Sequence, residues 1–334
     1  MKKALLGMGV LLIAAGCGGV IEEEPPENNQ PAEEEANSQD EDINNEETDE
    51  QDEEDGRAAV EEIEHIHDMA FDREKEGILY VGTHHGLMQA DLNSNGLFWQ
   101  GTEEDRHDFM GFLITSENLF MSSGHPGDGS DLQNPLGVMT SDDRGENWET
   151  GALYGEVDFH LMDANEGDSS FLYGFDAYGG RMFKSEDGGQ EWEQVEADGI
   201  NDRFQELYSI TSDPEDPETV LAGMSDGIYR SDDGGESFTL FNGQVTMTSA
   251  SQGPDGVIYA HGIGAIEGLM TSSDMGETWE QLGELPEDAE PVISLAVDFN
   301  NPEILAIGTI ADSLYWSEDQ GETWELLIEE GEPV

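Results

Sequence analysis

The sequence predicts an all-β protein, a six-bladed β-propeller behind a disordered acidic tether, and three observations lead there. An eight-residue pattern with Ser, Asp, Gly and an aromatic at its first, third, fifth and eighth places recurs five times. Its copies start 41 to 46 residues apart, a period that belongs to repeat architectures. Around each copy, short runs of β-formers supply the four strands that make one propeller blade.

The elements follow in chain order. Lys2 and Lys3 precede a nearly continuous apolar run from Ala4 to Ala15, which ends in Ala14-Ala15-Gly16-Cys17. A charged start, a short apolar stretch and small residues before a cleavage point read as a signal peptide over 1–17, too short to remain as a membrane span. Cys17 is the sole cysteine, so no intramolecular disulfide can form. The stretch resembles a bacterial lipobox, with Ala14 where Leu or Val is more usual. That resemblance makes Cys17 the lipidated N-terminus of a protein anchored in the cell membrane and displayed on its extracellular face. A plain secretory signal with an incidental cysteine is the alternative. Residues 18–60, typified by Glu22-Glu23-Glu24-Pro25-Pro26, bury too little apolar surface to offset their ordering entropy, and their like charges extend them.

The repeat occupies residues 61–334. Its copies are Ser141/Asp143/Gly145/Trp148, Ser185/Asp187/Gly189/Trp192, Ser231/Asp233/Gly235/Phe238, Ser272/Asp274/Gly276/Trp279 and Ser317/Asp319/Gly321/Trp324. Each reads as a hairpin turn in which Ser and Asp bond turn amides, Gly takes positive φ and the aromatic packs inward. A further unit runs from His65 through Trp99, with Ala90, Leu92 and Ser94 in the Ser, Asp and Gly places. First strands near residues 65, 108, 158, 207, 245 and 292 make six blades. Whether residues 58–64 add an outer strand stays open.

Charge limits the partners. The chain has 78 Asp or Glu against 11 Lys or Arg, a formal charge of −67, and 57 acidic against eight basic residues follow residue 64. Such a field repels nucleic acid, which is excluded as a partner. It suits a halophilic or alkaline habitat, because the Debye length shrinks to roughly 3 Å near 1 M salt. An acidic wall-facing protein of an ordinary bacterium is the alternative.

The five copies resemble the Asp-box, or bacterial neuraminidase repeat (BNR), family, whose members include sialidases, sortilin-type receptors, some glucanases and the photosystem II stability factor. The resemblance implies a propeller whose boxes are structural and lie on the face away from the ligand site. It also implies a glycosyl hydrolase-like protein. Sialidases of this build hold a carboxylate sugar with three channel arginines. Here only Arg73, Arg106, Arg144, Arg181, Arg203 and Arg230 follow residue 64, and they do not start first strands in three blades. Sialidase activity is therefore not expected.

The histidines are distributed unevenly, seven of eight lying before residue 161. His65 and His67 start the first strand of blade one, and Asp158 and His160 start that of blade three. His84 and His85 follow the second strand of blade one, His125 follows that of blade two, and His261 follows Ile258–Ala260 in blade five. In a propeller all these places fall on one rim. His65 and His67, two apart on a strand, share a face, as paired imidazole ligands do. With Asp68, Asp108, Asp158 and Asp176 beside them, neutral imidazoles suit a transition metal such as Zn, Cu, Ni or Fe. Rim histidines that only hydrogen-bond loops are the plainer reading.

Three functions remain: a module binding a metal ion, or a small-molecule, glycan or protein ligand, at the His-rich rim; a glycoside hydrolase; and a protein-assembly scaffold. A hydrolase needs two carboxylates, for which Asp68 and Asp158 are the candidates. Asp108, Asp176, Tyr178 and His261 are candidate ligand contacts. The methionines on first strands, Met69, Met110, Met162 and Met247, read as core filling, with soft ligation by a few of them as the alternative if the ion is copper.

Overall fold

The computed structural model describes residues 57–287, 289 and 291–334. The leader, Cys17 and most of the tether lie outside the described residues. Six sheets follow one another along the chain, each made of consecutive antiparallel strands in sequence order. The first strands are Ile66–Phe71, Asp108–Ile114, Phe159–Ala164, Leu207–Asp213, Val245–Gln252 and Val292–Val297. They touch in succession and the sixth returns to the first, so they form the wall of a central channel. The architecture is the six-bladed, all-β propeller read from the repeat.

Packing follows from strands that are apolar on both faces. Six apolar clusters are present among the described residues, each joining two neighbouring blades. Between blades three and four, for example, Tyr173, Met182 and Val195 meet Ile210, Val220 and Tyr229. Blades one and six are joined in the same way by Ile66, Met69 and Val81 against Ala306, Leu314 and Ile328, which closes the ring.

Every octad forms the turn that the sequence suggests. The Gly N–H donates to the Ser Oγ at 2.8–3.0 Å. The Ser hydroxyl donates to the Asp Oδ1 at 2.7–2.9 Å. The same carboxylate accepts the backbone N–H four residues on, at 2.8–2.9 Å. The glycines take φ of +77° to +88°, a region in which a side chain is strained. The octads join third to fourth strands. They therefore lie at the opposite end of the channel from the turns between second and third strands.

Among the described residues, closure uses no strand exchange. Residues 58–60 do add an outer edge to blade one, since Trp99 N–H donates to Ala58 O at 2.9 Å and Val60 N–H to Leu97 O at 3.1 Å. Blade six completes itself with a fifth strand, Glu332–Pro333. Across the seam, Ile63 N–H donates to Gly331 O at 2.9 Å and Gly77 N–H to Asp298 Oδ2 at 2.7 Å.

Two features position the site. The first is a β-bulge at one place in every first strand, which leaves His67, Met110, His160, Tyr208, Thr248 and Ile293 unpaired in register. All six are partly exposed, so together they ring the channel mouth. The second lies at the far end. Arg73, just after the first strand of blade one, pairs with Glu166 of blade three and stacks on Phe299 of blade six. It also donates to Ile114 O of blade two at 2.8 and 3.2 Å. Gln252 of blade five donates to Asp163 of blade three at 3.0 Å, and Asp163 also accepts from Ser212 of blade four. Blades that are not neighbours can meet only over the channel axis, so these contacts span the channel.

Candidate metal centre

The bulges and the adjoining turns gather the histidines into two groups. In the first, Asp108, the first residue of its strand in blade two, faces two imidazoles of blade one. His67 Nε2 lies 3.2 Å from its Oδ1 and His84 Nδ1 lies 3.0 Å from its Oδ2. The buried His67 Nε2 and Asp108 Oδ1 have no hydrogen-bond partner. In the second, Asp158 Oδ2 faces His160 Nε2 at 2.8 Å and His125 Nε2 of blade two at 3.3 Å. Asp158 Oδ1 is buried and unpartnered. Within each group the three candidate donor atoms lie no more than 4.8 Å apart, a spacing one ion can draw together.

Electrostatics match the geometry. Burial alone would raise both aspartates, but the imidazoles outweigh it and hold Asp108 and Asp158 below the usual carboxylate range. Asp158 in turn raises His125 to about 9, helped by Asn134, whose Oδ1 lies 2.8 Å from His125 Nδ1. The charge of His125 is also felt at Asp108.

The other expected residues are placed differently. His65 precedes the strand with φ of +56°, and a bulge follows at His67, so strand alternation does not pair them. Their ring centroids are 6.0 Å apart, and His65 also lies 5.9 Å from His84. His85 Nε2 stands 3.9 Å from Glu64 Oε2, outside both groups. Asp176 is fully buried and paired with Arg181, and its Oδ1 accepts the Asp158 N–H at 3.2 Å, so it braces Asp158. Tyr178 projects into solvent, 88% exposed. His261 is not in a loop: its strand runs through Ile258–Gly264 and buries it mid-strand, where Nδ1 meets Thr248 Oγ1 at 2.6 Å. Asp68 accepts the Met69 N–H at 2.8 Å and the Ser294 hydroxyl of blade six at 3.4 Å, so it and Asp158 have no partner in common. Desolvation raises Asp68 to about 7.

Asn134 escaped the sequence reading, and Met110 was read there as core filling although it is only partly buried. Asn134 lies in a long loop and carries no signal. Met110 could have been found by aligning the six first strands, which puts it in one column with His67 and His160.

The repeat and the ring together define a class. A family model described as the BNR/Asp-box repeat matches residues 315–326, the turn of blade six. The chain is a BNR/Asp-box repeat β-propeller. It is 24% identical over 265 residues to a xyloglucanase from Paenibacillus sp, which covers 66% of this chain and 25% of that enzyme. The GH74 xyloglucanase from Xanthomonas campestris superposes with a TM-score of 0.53 at 16% identity, covering 81% of this chain and 46% of that one. The Niastella koreensis GH74 enzyme gives a TM-score of 0.54 at 15% identity, covering 82% and 46%. The chain thus shares its fold with GH74 enzymes and spans less than half the length of each of these proteins.

Proposed function

We propose that this propeller is a binding module whose mouth takes transition-metal ions at its two His–Asp–His groups, and through them a ligand with oxygen or nitrogen donors. The observation that carries this reading is that two imidazoles and a carboxylate converge twice around one opening. Three protein donors leave positions for a ligand, as in sites that act on or hold a second molecule. The two imidazoles of each group favour Zn, Cu, Ni or Fe over Ca. The surrounding excess of 57 acidic over eight basic residues after residue 64 concentrates cations near the mouth. Untagged protein titrated with zinc should take up about two ions per chain. Asp108→Asn with His67→Ala should remove one, and His125→Ala with His160→Ala the other. Calorimetry showing no uptake by the parent chain would refute the proposal.

A second reading, a glycoside hydrolase, is favoured by one observation, the raised carboxyl of Asp68, which suits a general acid. The likeness to xyloglucanases makes a glucan the substrate to try. Asp158 is its weaker half, since both histidines already occupy that carboxylate. Turnover of a glucan panel in high salt that vanishes in Asp68→Asn would establish this reading over the first. We also propose display on the outer face of a cell membrane through lipidated Cys17, a reading supported by the leader sequence.

A further inference from the structure

We infer that Met110 adds a thioether donor to the mouth, so that the ion class it best accommodates is monovalent copper. The inference rests on the binding reading above and names the ion for that same site. Three observations lead to it.

The bulge places Met110 in blade two where blade one has His67 and blade three has His160. It therefore stands between the two imidazole groups, two residues beyond Asp108 on the same strand. In blades four to six the same position holds Tyr208, Thr248 and Ile293, so nitrogen and sulfur donors are confined to one half of the ring.

Met110 also differs from the other first-strand methionines. Met69, Met162 and Met247 are buried in the clusters between blades. Met110 joins none of the six clusters found among the described residues and is only partly buried. Core filling, which explains the other three, leaves it unexplained.

The third consideration is chemical. A thioether is a soft donor that adds little to zinc or nickel, whereas Cu(I) favours imidazole and thioether together. Carboxylate is a poor donor for that ion. Asp108 and Asp158 face the same ring nitrogens that would hold the ion, so they stay beside it as counter-charges.

The test compares full-length parent protein with Met110→Leu, which keeps the side-chain volume. Cu(I) is titrated with ascorbate present and bicinchoninate as the competing chelator, and zinc is titrated separately. Met110→Leu should hold Cu(I) about tenfold or more weakly while keeping its zinc affinity. Met247→Leu, a core control, should leave both unchanged. Equal Cu(I) competition by the parent and Met110→Leu, with zinc still bound, overturns the assignment of Met110 alone. So does an equal loss in Met247→Leu. A parent chain that binds neither ion overturns the binding reading itself.

Discussion

Lowering the pH from about 7 to about 5 should cost this propeller roughly 2 kcal/mol through one side chain, His261. Its imidazole is 1% exposed and stands mid-strand opposite Ser249, where blades one, four and six hold Gly82, Gly223 and Gly308. Nδ1 is held by Thr248, and the buried Nε2 has no partner to receive a second proton's charge. Desolvation lowers its pKa from 6.5 to about 4. An unfolded chain takes up the proton near 6.5, while the native chain resists until about 4. The unfolded state therefore binds more protons throughout that window, and stability falls as pH falls through it. The whole shift corresponds to roughly 3 kcal/mol, most of it lost by about pH 5.

Urea unfolding of the parent and His261→Leu near pH 7 and pH 5 isolates the effect, because carboxylates common to both cancel in the comparison. The leucine variant leaves the Thr248 hydroxyl its bond to Val292 O at 3.2 Å. The parent should lose about 2 kcal/mol more than the variant over this interval. Parallel losses would refute the argument that burial keeps this ring neutral.

Three other outcomes are expected. Glu166→Ala leaves Arg73 partly buried without its carboxylate and should lower stability by about 3–5 kcal/mol in thermal unfolding, whereas a loss under about 1 kcal/mol would show that solvent already screens the pair. Raising sodium chloride from about 0.1 to 1 M should raise the unfolding midpoint, since 57 acidic residues against eight basic ones after residue 64 repel one another; a midpoint that stays level would count against a salt-loving habitat. Lipidated protein expressed in a bacterial host should enter the detergent phase, and Cys17→Ser should move it to the aqueous phase; parent protein found only in the aqueous phase would rule out the anchor.

The blade count was legible because the octad is a local device. Ser, Asp and Gly at fixed offsets close a turn with their own hydrogen bonds, so the pattern survives in one dimension. Blade one lacks it and was still recognised, from strand spacing and Trp99. The site was legible only in part. Placing His67, His84, His125 and His160 at one rim required only the order of strands in a blade. Their division into two groups depends on Asp108 and Asp158 reaching across blade boundaries, and no single-blade pattern encodes that. The bulges were equally hidden, because register is a property of two strands. They explain why His65 and His67 do not pair as neighbours on a regular strand. His261 was read as following Ile258–Ala260, yet the strand continues through it to Gly264.

The Arg73–Glu166 bridge has a consequence for traffic. With the octad end crossed by these side chains, the histidine mouth is the less obstructed way out for whatever lodges there. A bulky occupant there would shut in any ion or solute beneath it. Release past the mouth would then be paced by departure of the outermost guest.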